Sequence, residues 1–385
     1  MERIVAAAGV AVVVILTFAA CGGQPGSADT ETADFRIGVV LDVGGRGDKS
    51  FNDLAYDGLV LIAEEYGGYI ADDLLQVSFG NTVELKYLEP REGGQDRERL
   101  LRVLAEDGFD LLFGVGFAFI DALPRVAADF PDTHFALIDG YIPDLDADSN
   151  ITCIAFAEHE GSFVVGALAG MLIEDMGEGR VGFIGAMDIP LIHRFHGGFA
   201  AGAMYANPAL RDSGMIIGRY IGQDPTAFHD PRSAERIATD LYSQDVRIVY
   251  HAAGESGAGV FEAAYDARRW AMGVDFDQGR VYQSANTAQE RAIGERIVTS
   301  MLKRVDIAVH RLSSQFIDAG GFLAGGCVNF GLDNGGVGYA VNEYNRDMIE
   351  PYIERLEELR ARVAAGEITV PASHTGIPEW LADTF

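Results

Sequence analysis

One unit recurs along this chain: a short apolar run, a turn of small residues and an amphipathic helix. The apolar runs and their helices fall at 35–41 and 53–66, 110–117 and 121–130, 180–190 and 191–206, and 247–254 and 258–269. Strands that are apolar throughout and alternate with helices are typical of a parallel sheet covered on both faces. With right-handed crossovers, this pattern predicts a doubly wound α/β fold.

The repeated units fall into two sets, and a length of 385 residues also favours two domains. We expect a first lobe from 35–153 plus about 282–325, and a second lobe from 154–281 plus about 326–385. The later segments include a predicted helix over 291–312, a strand around Cys327–Leu332, and a last helix with Pro351 near its start and Gly366 at its end.

The start of the chain is typical of an export signal. Arg3 precedes an apolar run, Ile4–Phe18, which is short for a spanning helix and suits a signal peptide over 1–20. Small residues then lead to Cys21, as in a bacterial lipobox, and 21–34 has the composition of a flexible tether. We expect an exported chain, lipid-anchored through Cys21 on the extracytoplasmic face of a membrane. The alternative is an ordinary secretory signal followed by a chance cysteine.

The charge of the chain restricts its partners. The formal net charge of −29 argues against nucleic acid or an anionic membrane surface as the main partner, because phosphate binding requires a basic face. Lysine occurs only at 49, 86 and 303, so 26 of the 29 basic residues are arginine. We expect these three lysines to lie where the structure needs a compact ammonium that the planar guanidinium of arginine cannot replace.

Several kinds of catalytic or metal site are absent from the sequence. Residues 42–53 read DVGGRGDKSFND, with Asp48 where a phosphate-binding loop needs glycine before its lysine. No GxGxxG follows the first strand, and 251–259 lacks the GxSxG of a nucleophile elbow. His193 and His196 are three residues apart, but the sequence offers no third metal ligand beside them. Cys153 and Cys327 could either form a disulfide or remain free thiols. We therefore expect no catalytic residue, metal or cofactor.

Carboxylates, glycines and phenylalanines recur directly after the predicted strands. In open parallel sheets, ligands bind outside the carboxyl ends of the strands, so we expect these residues to line a cleft. Aromatic faces stack on a planar ring, and carboxylates accept hydrogen bonds from hydroxyl and amino groups. A nucleoside meets this description, whereas Asp42, Asp48 and Asp275 would repel the phosphate of a nucleotide.

The order of several motifs along the chain resembles the basic membrane protein family of bacterial lipoproteins. The motifs are DVGGRGDKSFND (42–53), GVGFAF (114–119), FALIDG (135–140), EHEGSFVVGALAG (158–170), VGFIGAMDIPLIHRFHGGFAAG (181–202), HAAGESGAGVFEAA (251–264), GVDFDQ (273–278) and VTSMLKRVD (298–306). The resemblance implies a type I periplasmic-binding-protein fold, with two lobes joined by a hinge. It also implies the substrate-binding component of an ABC importer that captures purine nucleosides by hinge closure and works with permease and ATPase subunits.

The resemblance also implies roles for individual residues. Asp42 and Asn52 match positions that hold the base, Phe51 matches a ring that stacks on it, and Asp139 closes the wall of the first lobe. Gly254, Asp275 and Lys303 match positions that hold the ribose. Phe195 is assigned to the second stacking ring, with Phe117 and Phe228 as its competitors. Asp48 and Asp277 are expected either to support these residues or only to cap loops, and Lys49 is expected to be more structural than ligand-contacting.

Three alternatives stay open at this point. The first is another planar hydroxylated ligand, such as riboflavin. The second is an enzyme of nucleoside metabolism such as a hydrolase, which would need a cluster of metal-binding aspartates that the sequence does not contain. The third is a surface sensor that uses the same pocket without an importer.

Overall fold

A computed structural model describes residues 33–91 and 93–385 of the chain. The predicted signal peptide, the expected lipidation site Cys21 and most of the predicted tether lie outside the described residues. Among the helices of the described part, none combines the length and apolar character that a membrane-spanning helix requires.

The strands of the described residues form a seven-stranded and a six-stranded sheet. In chain order the strands are β1 (Phe35–Val40), β2 (Tyr69–Ile70), β3 (Val83–Leu88), β4 (Leu111–Val115), β5 (His134–Ile138), β6 (Ile151–Phe156), β7 (Arg180–Met187), β8 (Ile216–Gly222), β9 (Val246–Ala252), β10 (Trp270–Asp275), β11 (Ile297–Lys303), β12 (Gly326–Phe330) and β13 (Val337–Tyr339). The first sheet has the order β12-β6-β5-β4-β1-β3-β2, and the second has the order β13-β11-β10-β9-β7-β8.

Both sheets are parallel except for β13, which pairs antiparallel with β11 at an edge. The central strands β4 and β5 are buried at every residue, as expected of strands covered on both faces. The apolar runs predicted as strands therefore form the central sheets of two doubly wound units. We call the seven-stranded sheet with its helices the first lobe, and the six-stranded sheet with its helices the second lobe.

Helices cover both sheets. They are α1 (Phe51–Tyr66), α2 (Arg97–Glu106), α3 (Ala122–Asp129), α4 (Glu158–Met176), α5 (Pro190–Ala206), α6 (Pro231–Ser243), α7 (Gly257–Ala267), α8 (Gln278–Gln283), α9 (Ala288–Gly294), α10 (Val305–Asp318), α11 (Arg346–Ile349), α12 (Ile353–Ala364) and α13 (Ile377–Thr384). The predicted last helix corresponds to α12, and Gly366 follows it with a φ of +73°. Short 3-10 turns, among them Pro225–His229 and Gly254–Ser256, follow β8 and β9.

The predicted helix over 291–312 is wrong. The segment contains the end of α9, the strand β11 and the start of α10. The apolar face that suggested a helix belongs to a strand that is buried between β10 and β13.

This error affects the expected assignment of segments to lobes. The strand β11, which we expected in the first lobe, pairs within the second sheet, whereas β12, expected in the second lobe, pairs within the first. The helix α10 does pack on α1 in the first lobe, and α12 packs on α4 in the second. The chain thus passes between the lobes three times, after β6, after β11 and after β12. The exact lobe boundaries stay a prediction.

The two long helices of the second lobe, α4 and α5, pack backbone against backbone. A Cβ atom at Gly202 would lie 1.9 Å from the carbonyl oxygen of Phe163, and one at Gly198 would lie 2.1 Å from that of His159. Only glycine permits this approach. At these contacts the backbones of α4 and α5 touch directly, with almost no side chains between them.

The two cysteines of the described part join β6 to β12. Cys153 and Cys327 are directly opposed in these parallel strands, with Cα atoms 4.4 Å apart, and are bonded as a disulfide. Of the two possibilities left open by the sequence, the structure has the paired one.

Candidate ligand-binding cleft

A cleft lies between the carboxyl ends of the strands of the two sheets. Its walls come from the loops after β1, β4, β5, β7, β8, β9, β10 and β11, as the fold requires. It is lined by Asp42, Val43, Asp48, Phe51, Asn52, Gly116, Phe117, Ala118, Asp139, Leu191, Ile192, Phe195, Pro225, Phe228, His229, Ala252, Ala253, Gly254, Glu255, Val274, Asp275 and Lys303. The structure therefore brings together all eight residues predicted to bind ligand, and Asp48, Phe117 and Phe228 with them.

The loop after β1 is organised by the buried carboxylate of Asp48. Its Oδ1 accepts a hydrogen bond from the backbone N–H of Ser50 at 2.9 Å, and its Oδ2 accepts from the backbone and side-chain N–H groups of Asn52 at 2.9 and 3.0 Å. Burial raises the pKa of Asp48 while these donors lower it, with a net rise. Asp48 thus fixes the shape of the loop by accepting hydrogen bonds from its own N–H groups.

The carboxylate of Asp42 is held by a residue that the sequence did not identify, Arg97 on α2. The Arg97 guanidinium donates to Oδ1 of Asp42 from Nη2 and, at 3.0 Å, from Nε, and the backbone N–H of Val43 donates to the same oxygen at 2.7 Å. The other oxygen, Oδ2, faces Gly116, where a Cβ atom would lie only 2.6 Å away. These donors fix the carboxylate through one oxygen and leave Oδ2 toward the cleft.

The Lys303 ammonium, at the end of β11, is enclosed by acid side chains. Its side chain is 2% exposed, and Nζ lies 2.6 Å from Oδ1 of Asp139 and 3.1 Å from Oε1 of Glu158, whose side chain has no exposure. The contact with Glu158 is close enough for an ion pair but is not aligned for a hydrogen bond. The sequence predicted Lys303 and Asp139 but missed Glu158, although it stands two residues after β6, at the same end of the sheet as the others.

Burial and the charges of neighbouring side chains shift the pKa values of Lys303 and of the acids around it. Desolvation opposes the charge on Lys303, but Asp139, Glu158 and Asp275 outweigh it and raise the pKa of Lys303. Burial raises the pKa of Asp275 to about 6 and that of Glu158 to about 7, against the opposing effect of Lys303. Lys303 is thus a cation beside two carboxyl groups whose pKa values are raised by burial, of which Asp275 lines the cleft and Glu158 is fully buried.

Aromatic rings lie against the same ammonium. Nζ of Lys303 is 5.4 Å from the ring centroid of Phe51, 5.5 Å from that of Phe195 and 5.0 Å from that of Phe156. Phe51 and Phe195 also line the cleft, while Phe156 belongs to β6. Phe228 also lines the cleft and lies close to Gly254 in the second lobe.

Two predicted supporting residues lie away from the cleft. Asp277 accepts a hydrogen bond from the backbone N–H of Arg280 at 3.1 Å, which caps α8, and its carboxylate also accepts from Asn342. The ammonium of Lys49 lies 3.5 Å from a carboxylate oxygen of Glu290, and both side chains are exposed. Whether either supports ligand binding stays a prediction.

Three further contacts join the lobes directly across the cleft. Oγ of Ser50 donates to Oδ2 of Asp275 at 2.8 Å, the side-chain amide of Gln278 donates to the carbonyl of Lys49 at 3.3 Å, and Nε2 of His229 lies 2.9 Å from the carbonyl of Val43. The loop after β1 is thus bound to the second lobe at several points.

Comparison with known proteins agrees with this architecture. A family model described as ABC transporter substrate-binding protein PnrA-like, the Bmp family, matches residues 35–374. The CD4+ T-cell-stimulating antigen of Listeria innocua is 31% identical over 353 residues, covering 89% of this chain and 90% of that protein. An uncharacterized lipoprotein of Pyrococcus abyssi is 29% identical, covering 92% of this chain and 89% of the relative.

Solved structures lead to the same assignment. A crystal structure of an ABC transporter solute-binding protein from Aeropyrum pernix K1 superposes with a TM-score of 0.69 at 28% identity, covering 90% of this chain and 98% of that one. The predicted two-lobed type I periplasmic-binding fold and the family resemblance are both confirmed. This chain belongs to the Bmp family of ABC transporter substrate-binding proteins.

Proposed function

We propose that this chain binds a purine nucleoside in the cleft between its lobes by hinge closure and presents it to the permease and ATPase subunits of an importer. Ligand would shift the population toward the closed arrangement, because residues of both lobes can contact it only there. No chemical conversion of the ligand is part of the proposal.

The observation that carries the proposal is the group formed by Lys303, Asp139 and Asp275 beside the rings of Phe51 and Phe195. Carboxylates at the end of a cleft can accept hydrogen bonds from vicinal hydroxyls, each worth roughly 1.5–3 kcal/mol when the acceptor is charged. A ring between phenyl groups gains about 0.5–1.5 kcal/mol beyond the burial of its area. A ribose joined to a planar base presents both kinds of surface in one molecule.

The charges in the cleft favour an uncharged ligand. Asp42, Asp139 and Asp275 line it, while the guanidinium of Arg97 is already engaged by Asp42 and the ammonium of Lys303 by Asp139. A phosphate would meet these acids without an unengaged cation among them. We therefore expect nucleosides to bind and their monophosphates to be rejected.

Calorimetric titration of the mature chain tests the proposal, with Cys21→Ser to release it from the membrane. Inosine, adenosine and guanosine should bind, and their 5′-monophosphates should not. Riboflavin is the decisive comparison, since binding of riboflavin without any nucleoside would replace the proposed ligand. Asp275→Ala should weaken nucleosides much more than the free bases, and equal weakening would refute the assignment of Asp275 to the ribose.

The membrane anchor is proposed separately. The lipobox-like sequence before Cys21 supports attachment through a lipid at that residue, and a relative is described as a lipoprotein. Expression with a radiolabelled fatty acid should label the wild-type chain and leave Cys21→Ser unlabelled. Equal labelling of both chains would contradict the anchor without affecting the ligand proposal.

A further inference from the structure

Ser50 stands at the N-cap of α1, but its hydroxyl does not cap the helix. A serine at this position ordinarily accepts a hydrogen bond from the second or third backbone N–H of the helix. Within the described part of the chain, the Ser50 side chain makes no such bond. The carboxylate of Asp48 takes its place, because it accepts from the backbone N–H of Asn52 at 2.9 Å and from that of Asp53 at 3.2 Å. The first turn of α1 is therefore capped without the hydroxyl of Ser50.

The hydroxyl of Ser50 instead reaches the second lobe. Its Oγ donates to Oδ2 of Asp275 at 2.8 Å, and both residues are buried. A hydrogen bond to a carboxylate is shorter and stronger than one between neutral groups, and it restricts the orientation of the carboxylate. The Asp275 side chain is therefore oriented by a residue of the opposite lobe.

The backbone on both sides of this contact has an uncommon conformation. Lys49, directly before Ser50, has a φ of +49°, and Asp275 has a φ of +64°. Few residues other than glycine adopt such values, which persist where surrounding contacts fix them. One of these contacts is the side-chain amide of Gln278, which donates to the carbonyl of Lys49 at 3.3 Å, while its oxygen accepts from the N–H of Val274 at 3.0 Å. Gln278 thus ties the residue before Ser50 to the strand that carries Asp275.

We infer that Ser50 is a positioning residue for ribose recognition, because it orients the Asp275 carboxylate from the opposite lobe and completes this acceptor only when the lobes meet. The inference rests on the proposed function, which assigns Asp275 to the ribose. Each carboxylate oxygen has two lone pairs, so acceptor capacity remains for a ligand hydroxyl while Ser50 is bound. When the lobes separate, the contact is lost and the carboxylate can rotate, so a hydroxyl bound to it must bear the cost of orienting it.

The surroundings of Asp275 give the contact a measurable signature. Burial raises the pKa of Asp275 to about 6, while the charge of Lys303 and the hydrogen bond from Ser50 lower it. Removal of the Ser50 hydroxyl therefore raises the pKa of Asp275 further, and the carboxylate takes up its proton at a higher pH. The other titratable groups that face it are Asp139 and Asp48, whose charges raise its pKa, and Tyr250 on β9, a phenol whose own pKa is raised by burial.

Calorimetric titration with inosine and with its free base hypoxanthine tests the inference. Ser50→Ala should lower the affinity for inosine by about three- to tenfold, the effect of one hydrogen bond. It should lower the affinity for hypoxanthine clearly less, because the free base presents no ribose hydroxyl to Asp275. Equal losses for the two ligands would make Ser50 only a contact between the lobes and would overturn the inference.

Ser313→Ala is the matched control. Ser313 is also fully buried, lies on α10 of the first lobe and is not among the residues that line the cleft. This variant loses the same chemical group and should keep the wild-type affinity for both ligands. A loss of inosine affinity as large as that of Ser50→Ala would assign the effect to a general change in the first lobe and would also overturn the inference.

A second measurement needs no ligand. Carbon NMR of the Asp275 carboxyl follows its titration, and the midpoint should lie at a higher pH in Ser50→Ala than in the wild type and in Ser313→Ala. Equal midpoints in the three chains would overturn the inference. A higher midpoint in Ser50→Ala, together with no binding of inosine by the wild type, would support the orientation of Asp275 by Ser50 and count against the proposed function alone.

Discussion

Lys303 and Asp139 form a buried ion pair between the ends of strands that belong to different sheets. Nζ of Lys303, the last residue of β11, is 2.6 Å from Oδ1 of Asp139, which follows β5. Directly after Lys303 the chain passes to the first lobe as α10. The pair therefore lies where the lobes are covalently joined, and the base of the cleft is fixed by charge as well as by the chain.

Replacing this lysine should destabilise the fold, because the buried acids around it would lose their counter-ion. In Lys303→Met, the buried carboxylates of Asp139, Glu158 and Asp275 lose their cation, and we expect the free energy of unfolding to fall by about 3–5 kcal/mol near pH 7. Lowering the pH to about 5 should restore part of it, because the folded variant then binds more protons than the unfolded chain. Urea denaturation at the two pH values measures both effects.

Lys86→Met is the control for that experiment. Lys86 lies 3.1 Å from a carboxylate oxygen of the exposed Asp72 on the surface of the first lobe. Its loss should change the free energy of unfolding by no more than about 1 kcal/mol. Equal effects of the two substitutions would mean that the buried pair contributes no more than a surface pair.

Asp275 should make nucleoside binding depend on pH. Burial raises its pKa to about 6. If the ionised carboxylate accepts from ribose hydroxyls, affinity should fall as pH drops below about 6, because protonation removes an acceptor. Asp275→Asn should bind more weakly above that pH and lose the acid-side decline. A decline that persists in Asp275→Asn would assign it to another group.

The two assigned stacking rings can be compared by conservative truncation. Phe51→Leu and Phe195→Leu should each lower nucleoside affinity by roughly three- to tenfold, since the aromatic contribution is lost while apolar volume is largely kept. Phe322→Leu, at an exposed position, is the control. If Phe228→Leu weakens binding more than Phe195→Leu does, Phe228 is the second stacking ring.

The close packing of α4 and α5 makes a sharp prediction about folding. Gly202→Ala would place a methyl group 1.9 Å from the carbonyl oxygen of Phe163, so the helices must separate, and we expect a loss of about 3 kcal/mol in the free energy of unfolding. Gly338→Ala, where the added Cβ meets nothing within 4 Å, should cost little. Thermal denaturation followed by circular dichroism compares the two, and similar midpoints would show that the helices can move apart at no cost.

Much of the cleft could be predicted because its residues follow strands. Asp42, Asp139 and Asp275 each end an apolar run, and parallel strands bring such ends to one edge. Arg97 could not be predicted in this way, because it lies on α2 and reaches Asp42 only through a tertiary contact. Glu158 does follow a strand, β6, and its position after that strand is the signal that could have identified it. The strand β11 could not be distinguished from a helix by sequence, because a short apolar run fits both periods and only pairing with β10 and β13 decides between them.

The glycine contacts between α4 and α5 also bear on how the cleft could be sensed from outside. With carbonyl groups occupying the space where side chains would lie, these helices cannot slide past each other, and the half of the molecule built on them must turn as one piece. A small rotation at the three segments that connect the lobes would then move the outer edge of the second lobe farther than the residues at the base of the cleft. Under the proposed hinge closure, a membrane complex would then recognise the filled site by the overall shape of the protein.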